Sequence, residues 1–166
     1  MKLFVCLIGC LIFFGQIYSQ EYRSAFGIKS GYPGFIGLDF KKPLGEEKRS
    51  ALELMAGTNF DSDNRFICGQ LQYQRDKQIG FNSDYYFYYG LGPTVQYYTS
   101  GGYISDSSLV ATGGLHTKID VFLGFELIQP NGKLNLAADI GPALYLLPAF
   151  RFGIQFNVAI RLARRD

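Results

Sequence analysis

His116 is the only histidine in the 166-residue chain, and so the only imidazole available as a general base near neutral pH. The nearest hydroxyls upstream are Ser105, Ser107 and Ser108. Together these residues are the one set from which a serine hydrolase acting on lipid could be assembled. Such chemistry needs a third group to orient the ring, and none can be named, because His116 runs into Thr117 and Lys118 with no His-x-Ser spacing. A histidine at the end of a loop is expected to be solvated, so no catalytic residue is expected here.

The other chemical signals are equally thin. Asp61-Ser62-Asp63-Asn64 places oxygen ligands as a calcium loop begins, but the glycine and distal glutamate of such a loop are missing, which leaves a polar turn. Ser100-Gly101-Gly102-Tyr103 is too short to cradle a phosphate, and no strand-to-helix context surrounds it. Of the three cysteines, Cys6 and Cys10 fall in an apolar leader, and Cys68 alone makes neither a disulfide nor a cysteine metal site. No metal and no cofactor is expected. A formal charge of +2 gives no electrostatic case for nucleic acid.

Residues 1–19 carry Lys2, an apolar run from Leu3 to Gly15 and a short polar exit, the pattern of a secretory signal peptide. The run is shorter than the roughly 20 residues of a membrane-spanning helix. Residues 20–166 are expected to form one exported domain. Its 20 glycines, 12 tyrosines and 15 phenylalanines, with a mean hydropathy of +0.04, require apolar residues interleaved with polar ones.

That interleaving has period two. Phe152, Ile154, Phe156, Val158, Ile160 and Leu162 alternate with Arg151, Gly153, Gln155, Asn157, Ala159 and Arg161. Leu134, Leu136, Ala138, Ile140, Pro142 and Leu144 alternate with the Lys133 to Ala143 set, and Ile119, Val121, Leu123, Phe125 and Leu127 with Lys118, Asp120, Phe122, Gly124 and Glu126. A fifth segment runs from Asp84 to Tyr97. Four shorter ones lie near Phe26, Leu38, Leu54 and Leu71, the last reaching Gln74. Eight antiparallel strands are expected, and hence an all-β, up-and-down barrel.

Alternation alone fits a soluble barrel that is apolar inside, of lipocalin type, as well as a transmembrane barrel that is apolar outside. The glycines decide. Gly27, Gly37, Gly57, Gly90, Gly92, Gly124, Gly141 and Gly153 share the polar faces, and Gly69 is the one placed on an apolar face. A solvated surface has no steric use for missing side chains, whereas a crowded eight-stranded lumen does. The polar faces are therefore expected inside, as an ion-paired network of Arg23, Lys29, Asp39, Lys41, Glu53, Lys118, Asp120, Glu126, Asp139, Arg151 and Arg161. Ile119, Val121, Leu123, Phe125, Leu134, Leu136, Ile140, Phe152, Ile154, Phe156, Val158 and Ile160 are expected to face lipid.

Tyr22, Tyr32, Phe60, Phe81, Tyr97, Tyr98, Tyr145 and Phe150, near segment ends, are expected to supply interfacial girdles. Gly92-Pro93 and Gly141-Pro142 each remove a ladder donor from a wall without edges, so each is expected to mark a bulge.

Tyr88-Tyr89-Gly90-Leu91-Gly92-Pro93, the stretch Ile119 to Glu126, the stretch Leu134 to Ala143 and the last strand ending near Arg161 resemble the small outer-membrane β-barrel proteins of Bacteroidetes-type bacteria. The likeness covers roughly residues 50 to 162. It implies an OmpX-like barrel in the outer membrane of a Gram-negative cell, porin-like in family, surrounded by lipid and inserted by barrel-assembly machinery, with no assigned activity. Such chains end on an aromatic residue, and this one departs from them in ending Leu162-Ala163-Arg164-Arg165-Asp166. The expected function is structural or surface recognition, with any recognition carried by the segment from 98 to 115 and a lumen packed rather than open. The competing functions are a soluble lipocalin-like binder and an outer-membrane lipid-modifying enzyme.

Overall fold

In the computed structural model, residues 22–32, 34–44, 50–59, 65–79, 84–99, 114–129 and 133–164 are described. They form eight strands: β1 (Ser24–Tyr32), β2 (Phe35–Leu44), β3 (Ser50–Thr58), β4 (Phe66–Gln78), β5 (Tyr85–Tyr98), β6 (Gly114–Ile128), β7 (Leu134–Leu147) and β8 (Arg151–Arg164). Every strand pairs antiparallel with its neighbour in sequence, and β1 closes on β8 from Ser24↔Arg164 to Tyr32↔Phe156. The result is a closed barrel with no edge strand. Both ends of the sheet lie at one rim, called here the terminal end; the opposite rim is the distal end.

Side chains alternate across this wall along every strand. Along β8, Gln155, Asn157, Ala159 and Arg161 are buried while Phe156, Val158, Ile160 and Leu162 are exposed. Bulky apolar side chains cover the outside, from Phe26 and Leu38 to Phe125 and Phe152, and charged and amide side chains fill the inside. A lipocalin-type arrangement, apolar within, is therefore overturned. At the distal end two connections are short, 33–34 between β1 and β2 and 148–150 between β7 and β8, while the longest stretch, 99–113, separates β5 from β6.

The glycines explain how the wall approaches itself so closely. A Cβ on Gly92 would meet the Leu71 carbonyl oxygen and lie 2.7 Å from Gln72 Cα; one on Gly141 would meet the Val121 carbonyl and lie 2.8 Å from Phe122 Cα. Gly69, on the outside, would meet nothing within 4 Å. These contacts also correct the expected bulges. The register runs unchanged from Gln70↔Thr94 to Tyr73↔Leu91 past Pro93, and from Asp120↔Ala143 to Leu123↔Ile140 past Pro142. Each proline points outward and forgoes one ladder bond, and the glycine before it lets the neighbouring strand close up. The register shifts instead between Thr117 and Lys118 in the β6–β7 pair.

Candidate functional site

The lumen is the candidate site, built from inward positions of all eight strands. Its centre is Arg161 on β8. Its Nη2 lies 2.8 Å from Glu53 Oε2, its Nε donates to Asp39 Oδ2, and its Nη1 donates to Asn135 Oδ1 at 3.2 Å and lies 3.8 Å from Glu126 Oε1. Lys29 Nζ sits 2.5 Å from Glu53 Oε1 and 3.5 Å from Asp139, and donates to Gln72 Oε1 at 3.0 Å. Lys41 Nζ bridges Glu126 at 2.6 Å and Asp76 at 3.3 Å, with the Tyr88 ring 5.3 Å away. The Tyr88 hydroxyl donates to Asp139 at 3.0 Å, and Asn157 Nδ2 to the same carboxylate at 2.6 Å.

A second group lies toward the distal end. Asp120 accepts from Thr94 at 2.5 Å and Gln70 at 2.9 Å, and its other oxygen is 2.8 Å from Lys118 Nζ. Tyr145 packs under two cations, Lys118 at 5.8 Å and Arg151 at 4.3 Å from its ring centre. Buried apolar side chains cluster toward both ends: Phe35, Met55, Phe66, Cys68 and Tyr98 at the distal end, Tyr22, Ala25, Tyr86 and Ile128 at the terminal end. The Tyr22 hydroxyl donates to Glu126 at 3.1 Å. Burial, then the Glu126 carboxylate beside it, push that hydroxyl's pKa well above the ordinary tyrosine range.

Lys29, Asp39, Glu53, Lys118, Asp120, Glu126, Asp139 and Arg161 are all buried inside and meet in these two groups, while Arg151 is half-buried on Tyr145. Lys41 joins them, whereas Arg23 is exposed ahead of β1, its amide bonded to the Arg164 carbonyl. Ile119, Val121, Leu123, Phe125, Ile140, Phe152, Ile154, Phe156, Val158 and Ile160 are exposed outside; Leu134 and Leu136 are half-buried there. Asp76 was not expected. Continuing the alternation of Gln70, Gln72 and Gln74 would have found it.

Three aromatic residues assigned to the girdles sit inside instead: Tyr22, Tyr98 and Tyr145. Strand parity explains the last two, since Tyr98 follows outward Tyr97 and Tyr145 follows outward Leu144. Tyr32, Tyr97 and Phe150 are exposed, while Phe60 and Phe81 lie outside the described residues. His116 is likewise not a solvated loop residue. It lies in β6, 3% exposed, with its ring centre 4.4 Å from that of Tyr98. Ser105, Ser107, Ser108, the 61–64 turn and the 100–103 tip fall outside the described residues.

A closed antiparallel barrel with an apolar exterior and an ion-paired interior is the architecture of an eight-stranded membrane-spanning β-barrel. Among solved structures the chain is similar to the N-terminal β-barrel domain of OprF from Pseudomonas aeruginosa, with a TM-score of 0.58 and 14% identity, over 85% of this chain and 98% of that domain. At that identity the likeness is one of fold. No family model and no curated protein matches the sequence.

Proposed function

We propose that this chain is an integral outer-membrane protein of a Gram-negative cell, exported through a cleaved signal peptide at residues 1–19 and inserted by barrel-assembly machinery. Its role is structural or surface recognition rather than enzymatic, in the manner of the small OmpX-like barrels of Bacteroidetes-type bacteria. One observation carries the reading. Phe152, Ile154 and Ile160 are 60–76% exposed on the outside while Arg161, Lys29 and Asp120 are at most 1% exposed within, an inversion that water on the outside would penalise and hydrocarbon rewards. The interlocked lumen and its two apolar ends support a packed interior rather than a conducting pore. Recognition is assigned to the 98–115 segment at the distal, cell-surface end.

The test is membrane fractionation with a carbonate wash, followed by gel mobility with and without boiling. The protein is expected in the membrane pellet, with a folded band that shifts on heating; recovery in the aqueous fraction overturns the reading. Planar-bilayer recordings are expected to show no stable conductance steps. The enzymatic alternative predicts lipid A turnover that His116→Ala abolishes. His116, packed on Tyr98 inside the wall, supports a packing role for that ring.

A further inference from the structure

The wall is closed all round but uneven in height. β8 pairs with β1 only as far as Phe156↔Tyr32, where β1 turns toward β2, yet it stays paired with β7 up to Arg151↔Tyr145. The stretch Arg151 to Gln155 therefore stands above the β1–β2 turn with no described strand on that side. Backbone groups along β8 turn alternately to its two neighbours: the Ala163 amide donates to Lys133 beside β7, and the Arg164 carbonyl accepts from Arg23 beside β1. By that alternation Phe152 and Ile154 address the missing side, and no backbone bond reaches them there among the described residues.

The outward face shortens on the same side. On β7 it is apolar from Leu134 to Leu146, which at the usual strand rise and a tilt of about 40° is about 30 Å of height, the thickness of a hydrocarbon core. On β2 the outward positions run only from Ile36 to Leu44, past Lys42, or about 20 Å. Polar groups also arrive early on this flank. Ser30 and Tyr32 end the outward face of β1 and Thr58 that of β3, whereas β8 carries Phe152 outward, the most exposed large apolar side chain of the described wall. Lys42 on the short flank and Arg164 on β8 both stand outward toward the terminal end, so the shortfall of about 10 Å falls at the distal end.

We propose that the β1–β2–β3 flank holds a locally thinned outer leaflet, whose lipid headgroups and their water come down about 10 Å to the β1–β2 turn and hydrate the backbone edge of Phe152 and Ile154. Two separate observations select this occupant. Acyl chains at full height would cover Ser30 and Tyr32 and leave the amides and carbonyls of Phe152 and Ile154 without partners, which hydrocarbon does not tolerate. A spanning wall that is too short on one flank draws the bilayer in, at a small cost for each ångström. A second copy does not fit the edge. In one membrane both copies point the same way, so a two-fold axis along the membrane normal crosses their β8 strands at about 80°, twice the tilt, and no ladder forms.

The inference rests on reading the wall as lipid-facing, with its distal end at the cell surface. The chain has no tryptophan, so Tyr32→Trp and Ile140→Trp each give a single reporter in the full mature chain. Each variant is inserted into phosphatidylcholine vesicles brominated either near the headgroup or deep in the chains, with an unchanged heat-dependent gel shift certifying the fold. Ile140→Trp is expected to lose most fluorescence to deep bromines, and Tyr32→Trp to shallow ones. Stronger quenching of Tyr32→Trp by deep bromines overturns the proposal. In deuterated buffer the Phe152 and Ile154 amides of the parent are expected to exchange about a hundredfold faster than those of Val158 and Ile160, the contrast between an open edge and a paired ladder. Equal protection overturns it too, because a strand of another protein or of this chain then caps the edge. Failure to insert at all sinks the membrane reading as well; insertion with a deep Tyr32→Trp reporter or protected edge amides sinks this inference alone.

Discussion

Arg161 on the last strand and Glu53 on the third meet across the lumen, with Nη2 2.8 Å from Oε2, and Glu53 gives its other oxygen to Lys29 at 2.5 Å. The three side chains tie β1, β3 and β8 together through the inside of the barrel rather than through the sheet. Asp39 and Glu126 extend the tie to β2 and β6.

Removing the guanidinium leaves these buried carboxylates facing one another, and a buried pair broken at one partner costs about 3–5 kcal/mol. Arg161→Leu is expected to lose about that much, read as a lowered urea midpoint for the vesicle-inserted protein. A loss below about 1 kcal/mol would mean that water already screens the centre.

The inward glycines make a second comparison. Gly92→Ala and Gly141→Ala each force a Cβ against neighbouring backbone, an overpacking expected to cost about 1–3 kcal/mol. Gly69→Ala, pointing into open space, is expected to be neutral or slightly stabilising. Equal effects at the three sites would contradict the close strand approach.

Ile140 lies mid-strand on the outer face, 49% exposed and paired with Leu123 and Phe156. Placing a charge there tests the solvent outside. Ile140→Arg is expected to destabilise the inserted barrel by about 2–4 kcal/mol, the cost of arginine near the bilayer midplane. An aqueous surround would leave unfolding almost unchanged.

Tyr22 supplies a pH dependence. Its folded pKa is raised, so the neutral phenol is favoured in the native state. The stability it contributes is complete below the unfolded value, about 10, and is lost as pH rises through the folded value. Alkaline titration of the inserted protein is therefore expected to unfold it less steeply in Tyr22→Phe than in the parent. Phenolate absorbance and gel mobility, followed together, would show the difference.

Much of this architecture can be read from alternation, and the places where reading fails have physical causes. β5 to β8 announce themselves because their outward positions carry almost unbroken large apolar residues. β4 reads as ending at Gln74, four residues early, because outward Arg75 and Lys77 interrupt the apolar face near the rim. Asp76 is lost with them, and so is the partner of Lys41. His116 is misread because β6 begins at Gly114, not at Lys118, and nothing local in Leu115-His116-Thr117 marks it as strand. The charged residues of the lumen are recognisable as a set from their shared face. Which carboxylate each cation chooses is not, because that depends on how rows from strands more than a hundred residues apart come level, as Arg161 and Asp39 do.

The seam between β1 and β8 has a further consequence for biogenesis. Ser24 is matched with Arg164 and Tyr32 with Phe156, so the earliest and latest stretches of the sheet are each other's partners. Without β8 the sheet keeps two unpaired borders, one on β1 and one on β7, and the lumen lacks Arg161 at its centre. Closure of the wall therefore waits for the first and the last strand of the sheet together.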